Sequence, residues 1–91
     1  MPRQETNVAN PATITVLYFA QVAELTGQRH ESCPLDAPIT GSDWLAQLEA
    51  RFPQLAPVTR LKLAVNQYHV PHDTLIQPGD EVAVFEPVTG G

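Results

Sequence analysis

The first twelve residues are polar, and the chain then turns apolar. Residues 1–12 carry Pro2 and Pro11 and read as a flexible N-terminal arm. Thr13 to Phe19 is rich in β-branched and aromatic side chains, which predicts a strand. Ile14, Val16 and Tyr18 give it one apolar face; Thr15, Leu17 and Phe19 give it a mixed one. A strand with apolar side chains on both faces is either covered twice or presents one face to a partner. Val22, Ala23 and Leu25, followed by Gly27, predict a helical turn stopped at a left-handed glycine. Gln28 to Pro34 reads as a weaker strand returning antiparallel to the first, and Pro34 and Pro38 then break the chain.

The clearest helix runs from Gly41 to Phe52, where Trp44, Leu45, Leu48 and Phe52 recur at spacings of three and four. Thr40 or Ser42 can cap it, Asp43 suits its N-terminal dipole, and Pro53 ends it. Gln54 to Thr59 reads as a loop. Leu61, Leu63 and Val65 alternate with Lys62 and Ala64 as in a strand. Asn66-Gln67 is a turn into a short strand at Tyr68 to Val70, and Pro71-His72-Asp73 is a loop. Pro78-Gly79-Asp80 is a turn signal before a last strand, Glu81 to Pro87. Val82 and Val84 share one face of it; Ala83, Phe85 and Pro87 share the other.

This order predicts an α+β domain over residues 13–87, a mixed sheet packed on one main helix. The helix stripe covers one sheet face. Leu17, Phe19, Ala83 and Phe85 are assigned to the other, a candidate partner surface; the opposite parity, with these rings in the core, stays open at this level. With 91 residues there is room for one core only. The formal net charge of −5 and the scattered basic residues argue against nucleic acid or an anionic membrane as partner. No apolar run reaches the length of a membrane span. The single cysteine, Cys33, excludes an internal disulfide and a multi-cysteine zinc site and fits a cytoplasmic protein.

The chemistry concentrates at the C-terminus. Gly90-Gly91 carries no side chains, so a tail of residues 88–91 can lie extended in a slot where any Cβ would clash. The α-carboxylate is then the only functional group at the tip. A carboxylate is a poor acyl donor, but a partner enzyme can convert it with ATP to an acyl-adenylate, open to a sulfur or nitrogen nucleophile. Pro87 stiffens the exit from the last strand.

The run from Val16 to Gly27, then Ala64-Val65-Asn66-Gln67, then Gly79-Asp80-Glu81-Val82 through Pro87-Val88-Thr89-Gly90-Gly91 resembles one family in order and spacing. The family so resembled is that of the small, sulfur-carrying subunit of molybdopterin synthase, MoaD/ThiS-like, within the ubiquitin-related β-grasp group. The resemblance spans Thr13 to Gly91; the middle helix matches in pattern only, and the arm has no counterpart. Glu86 departs from the family, which commonly has a second proline before Pro87.

The resemblance implies a ubiquitin-like β-grasp fold and an E1-like enzyme that adenylates Gly91 with ATP and magnesium, no cofactor being bound permanently. Sulfur transfer then leaves a thiocarboxylate at Gly91. Gly90 and the tail enter the large synthase subunit, in a heterotetramer, and deliver sulfur to a pyranopterin precursor in molybdenum cofactor biosynthesis. The catalytic side chains are then expected on the large subunit. Leu17, Phe19, Ala83, Phe85, Pro87, Val88 and Thr89 are the expected partner-binding positions. Three other readings stay open: a sulfur carrier for thiazole or another metabolite, a ubiquitin-like protein modifier, and an interaction module with an incidental Gly-Gly end. His69, His72 and Asp73 lie close in sequence but fall short of a normal metal ligand set, and Cys33 and His30 have opposite strand parity.

Overall fold

The computed structural model describes residues 12–87. In chain order the elements are β1 (Thr13–Tyr18), α1 (Ala20–Thr26), β2 (His30–Pro34), β3 (Ile39–Thr40) and α2 (Gly41–Arg51), then β4 (Lys62–Val65), β5 (Tyr68–Val70), β6 (Leu75–Ile76) and β7 (Glu81–Phe85). Five strands form one sheet in the order β2-β1-β7-β4-β5. β1 and β7 run parallel at its centre, and every other neighbouring pair is antiparallel.

Alternation decides what each face buries. Ile14, Val16 and Tyr18 of β1, Val82 and Val84 of β7, and Leu63 of β4 point inward. Trp44, Leu45 and Leu48 of α2 close over them, and Val22 of α1 joins the same core. The stripe read from the sequence is thus the buried face of α2, with Phe52 packed at its edge. The Thr40 side chain accepts the Asp43 N–H at 3.2 Å and caps the helix. At Gly41 a Cβ would stand 2.7 Å from Leu63 Cδ1 and 2.9 Å from the His72 carbonyl oxygen, so the helix begins where only glycine lets two backbones approach. α1 ends at Gly27, φ 78°, whose N–H donates to the Ala23 carbonyl.

The last strand ends at Phe85 and not at Pro87, whose ring nitrogen has no N–H to give a ladder, and two further features differ from the sequence reading. The segment taken as the loop Gln54 to Thr59 holds parts of two 3₁₀ turns, Pro53–Leu55 and Val58–Arg60, which bury Leu55 and Val58. The segments around Ile39 and Leu75, for which the sequence pattern predicts no element, pair antiparallel as β3 and β6 and bury Ile76. Runs of two residues are too short to show a period of two.

A polar clamp secures the covering helix. Arg51, in the last turn of α2, pairs both guanidinium nitrogens with the Glu31 carboxylate of β2, at 2.9 and 3.0 Å. The Tyr18 hydroxyl donates to the same carboxylate. The Arg51 guanidinium holds the Glu31 carboxyl down to about 2, while burial, then the Glu31 carboxylate, push the Tyr18 phenol upward.

Candidate functional site: the open sheet face

The outer face follows from the strand registers. Leu17 pairs with Ala83, Ala83 with Ala64, and Ala64 with His69, which makes a row across four strands. In the next row Phe85 faces Lys62. The Phe85 ring lies 5.2 Å from the His69 ring, tilted by 46°. Phe19 follows β1 and is 48% exposed; its N–H donates to the Val84 carbonyl at 3.3 Å, which holds it beside the end of β7. Ala20, at φ 50°, then swings the chain into α1. Both helices put their buried side chains into the inner core, so neither covers this surface. Leu17, Ala83 and Phe85 stay half-buried and Phe19 open, so the rings are not core residues and the outward parity holds. A groove of about 640 Å³ adjoins the face, bounded by Leu17, Phe19, Ala23, Arg29 and His30.

β7 carries this surface toward the chain end. Glu86 and Pro87 follow Phe85 directly; Pro87 is exposed, and the Glu86 carboxylate pairs with the Arg60 guanidinium. The arm up to residue 11, and Val88, Thr89, Gly90 and Gly91, lie outside the described residues. The sequence-predicted positions therefore divide. Leu17, Phe19, Ala83 and Phe85 come together, Pro87 stands at the exit, and the rest of the tail lies beyond.

Arg60, Lys62, Ala64 and His69 were missed. Lys62, Ala64 and His69 reach the site through strand registers and Arg60 through its ion pair with Glu86, none of which local periodicity sets. The tight turn at Asn66 and Gln67, both with positive φ, puts His69 across from Ala64. An asparagine-glutamine turn after an alternating strand was the one available signal.

The other candidates have structural partners. His72 Nε2 lies 2.7 Å from the Leu61 carbonyl oxygen, apart in role from His69 on Phe85. Asp80 accepts from the Gln77 N–H and from Asn66 Nδ2. Cys33 is buried, and burial pushes its thiol upward. Among the described residues, no three His, Cys, Asp or Glu side chains are grouped to hold a metal, and no helix is long and apolar enough to cross a membrane.

The family model described as "ThiS family" matches residues 16–91. The chain belongs to the ThiS family. Its relatives include the molybdopterin synthase sulfur carrier subunit of Homo sapiens, 42% identical over 82 residues, covering 86% of this chain and 93% of the relative. The Escherichia coli protein of the same name is 40% identical over 80 residues, covering 86% and 99%. Among solved structures, small archaeal modifier protein 1 of Haloferax volcanii superposes with a TM-score of 0.72 at 26% identity, covering 85% of this chain and 99% of that one. The ThiS-family chain thus has the ubiquitin-like β-grasp fold, its mixed sheet wrapped on α2.

Proposed function

We propose that this protein is the sulfur carrier subunit of a molybdopterin synthase. The observation that carries the reading is the uncovered strip Leu17, Phe19, Ala83 and Phe85, which runs to the strand end leading to Gly91. A surface of flat small residues flanked by aromatic rings suits a partner that must hold the body while it takes in the tail. Sequence similarity to carrier subunits over most of the chain supports the same reading.

The chemistry lies at Gly91. An adenylating enzyme brings ATP and magnesium. A carboxylate oxygen of Gly91 attacks the α-phosphorus and releases pyrophosphate. A sulfide-level sulfur donor then displaces AMP from the acyl carbon and leaves a thiocarboxylate. Its sulfur is a softer and better nucleophile than the original oxygen. The large synthase subunit binds the open face, takes in Val88 to Gly91, and supplies the groups that act on the pyranopterin precursor. The carrier itself needs no resident cofactor, and its single, buried Cys33 suits a cytoplasmic site of action.

The test is the intact mass after incubation with the cognate activating enzyme, ATP, magnesium and a sulfur donor. A gain of about 16 Da at Gly91, oxygen replaced by sulfur, is expected. The likeness to an archaeal modifier favours a second reading, in which Gly91 is joined to lysines. Higher-mass lysine conjugates support that one. No change of mass with an active partner overturns both. Removing Gly91 abolishes activation while leaving the melting temperature unchanged.

A further inference from the structure

We propose that the Arg60–Glu86 ion pair is a positioning device that sets the direction in which the chain leaves β7. The inference rests on the sulfur-carrier reading and deepens it.

The last register pair of β7 is Phe85 with Lys62. Beyond Phe85 no strand neighbour holds the described backbone, so its heading depends on the next two residues. Glu86 is tied by its carboxylate to Arg60. Arg60 in turn sits on a firm base. It ends the second 3₁₀ turn, its own N–H donates to the Pro57 carbonyl, and the next N–H, of Leu61, donates to the Val58 carbonyl at 3.0 Å. Val58 and Leu61 are both buried, which anchors that turn in the core. Pro87 follows and fixes its φ near −65° through its ring, to within about 15°. Two successive residues are therefore constrained, one by a tether and one by a ring.

Glutamate here does with charge what a second proline does with a ring. A ring constraint is indifferent to ionic strength, whereas a tether between partly exposed charges is not. The two side chains are 37% and 29% exposed, so the pair adds little to folding stability. Its effect appears in how often the tail points into the partner's slot, which is a matter of association and not of the chemical step.

The experiment measures activation kinetics with the cognate adenylating enzyme, at low and high salt, for the full chain and for R60A, E86Q, E86P and the exchanged pair R60E/E86R. At low salt, R60A and E86Q raise the KM for the carrier about two- to fivefold, with kcat unchanged. High salt moves the unaltered chain toward the same KM. E86P keeps the low KM at both salt concentrations, and the exchanged pair restores it at low salt. Unchanged KM in R60A and E86Q, or a fall in kcat at constant KM, overturns the proposal. A second measurement is independent of the enzyme. The order parameter of the Glu86 amide falls in R60A if the tether holds the exit, and an unchanged value overturns the proposal. Failure of the unaltered chain to be adenylated instead overturns the sulfur-carrier reading, and the amide measurement still decides the tether.

Discussion

On the inner face of the sheet, Ile14, Val16, Leu63, Val82 and Val84 meet Trp44, Leu45 and Leu48 of α2 and are sealed from water. On the outer face, Leu17, Ala83 and Phe85 stay half-buried with no helix laid over them, and Phe19 stands open beside them. The strands are the same and the alternation is the same. What differs is the lid. A chain of 91 residues has apolar surface for one closed layer, and the second apolar layer stays uncovered, the surface we propose a partner closes. Small residues at its middle, Ala83 and Ala64, keep it flat, and the rings of Phe19 and Phe85 supply area at its margin.

Breaking the inner face has the largest expected effect. Leu45→Ala empties a fully buried site under α2 and costs about 2–5 kcal/mol of stability, read from a denaturant melt. Phe85→Ala on the outer face should do the reverse. Large-subunit binding weakens by about 2 kcal/mol or more, roughly thirtyfold in Kd by titration calorimetry, while the melt shifts far less. If Phe85→Ala instead melts like Leu45→Ala, the distinction between the faces is wrong.

The clamp that holds the lid sharpens the comparison through pH. The Glu31 carboxyl titrates near 2 in the folded chain against an ordinary 4.5, because Arg51 favours its charged form. A depressed carboxyl contributes stability that is complete above the ordinary value and fades as pH falls through the folded one. Arg51→Ala removes the larger part of that contribution, the Tyr18 hydroxyl keeping the rest. The gap in Tm between the two chains is therefore full at pH 7, narrows from about 4.5 downward, and closes below about 2. A gap that is constant across this range would show that Arg51 acts only by packing over Phe52, whose ring centroid its guanidinium overlies at 4.9 Å. The smallest effect is expected at the start of the lid. Thr40→Ala deletes the acceptor for the Asp43 N–H and lowers stability by about 1 kcal/mol, with no change in partner binding.

Much of this architecture was legible in the residues because it is local. Period two separates Val16 from Leu17 and Val84 from Phe85, and spacings of three and four mark Trp44, Leu45 and Leu48. Thr40, Gly27 and the Asn66-Gln67 turn act on their nearest neighbours. Features that join distant segments were hidden. Leu55 and Val58 are single apolar residues among prolines and polar residues, and only the completed core shows that they are buried. Glu31 and Arg51 stand 20 residues apart, and Arg60 and Glu86 stand 26 apart. Tyr68 has the inward parity of β5, opposite Val65, yet is 76% exposed at the start of the sheet's edge strand, while Val70 of the same parity packs against the core.

The parallel pairing of β1 with β7 makes the middle of the sheet wait for its last strand. A nascent chain still lacking β7 holds two separate strand pairs, β1 with β2 and β4 with β5, and no strand to join them into one sheet. Non-local closure of this kind is slow and comes late in synthesis. A chain ending before Glu81 is therefore expected to lack the five-stranded sheet and to leave the facing edges of β1 and β4 unpaired.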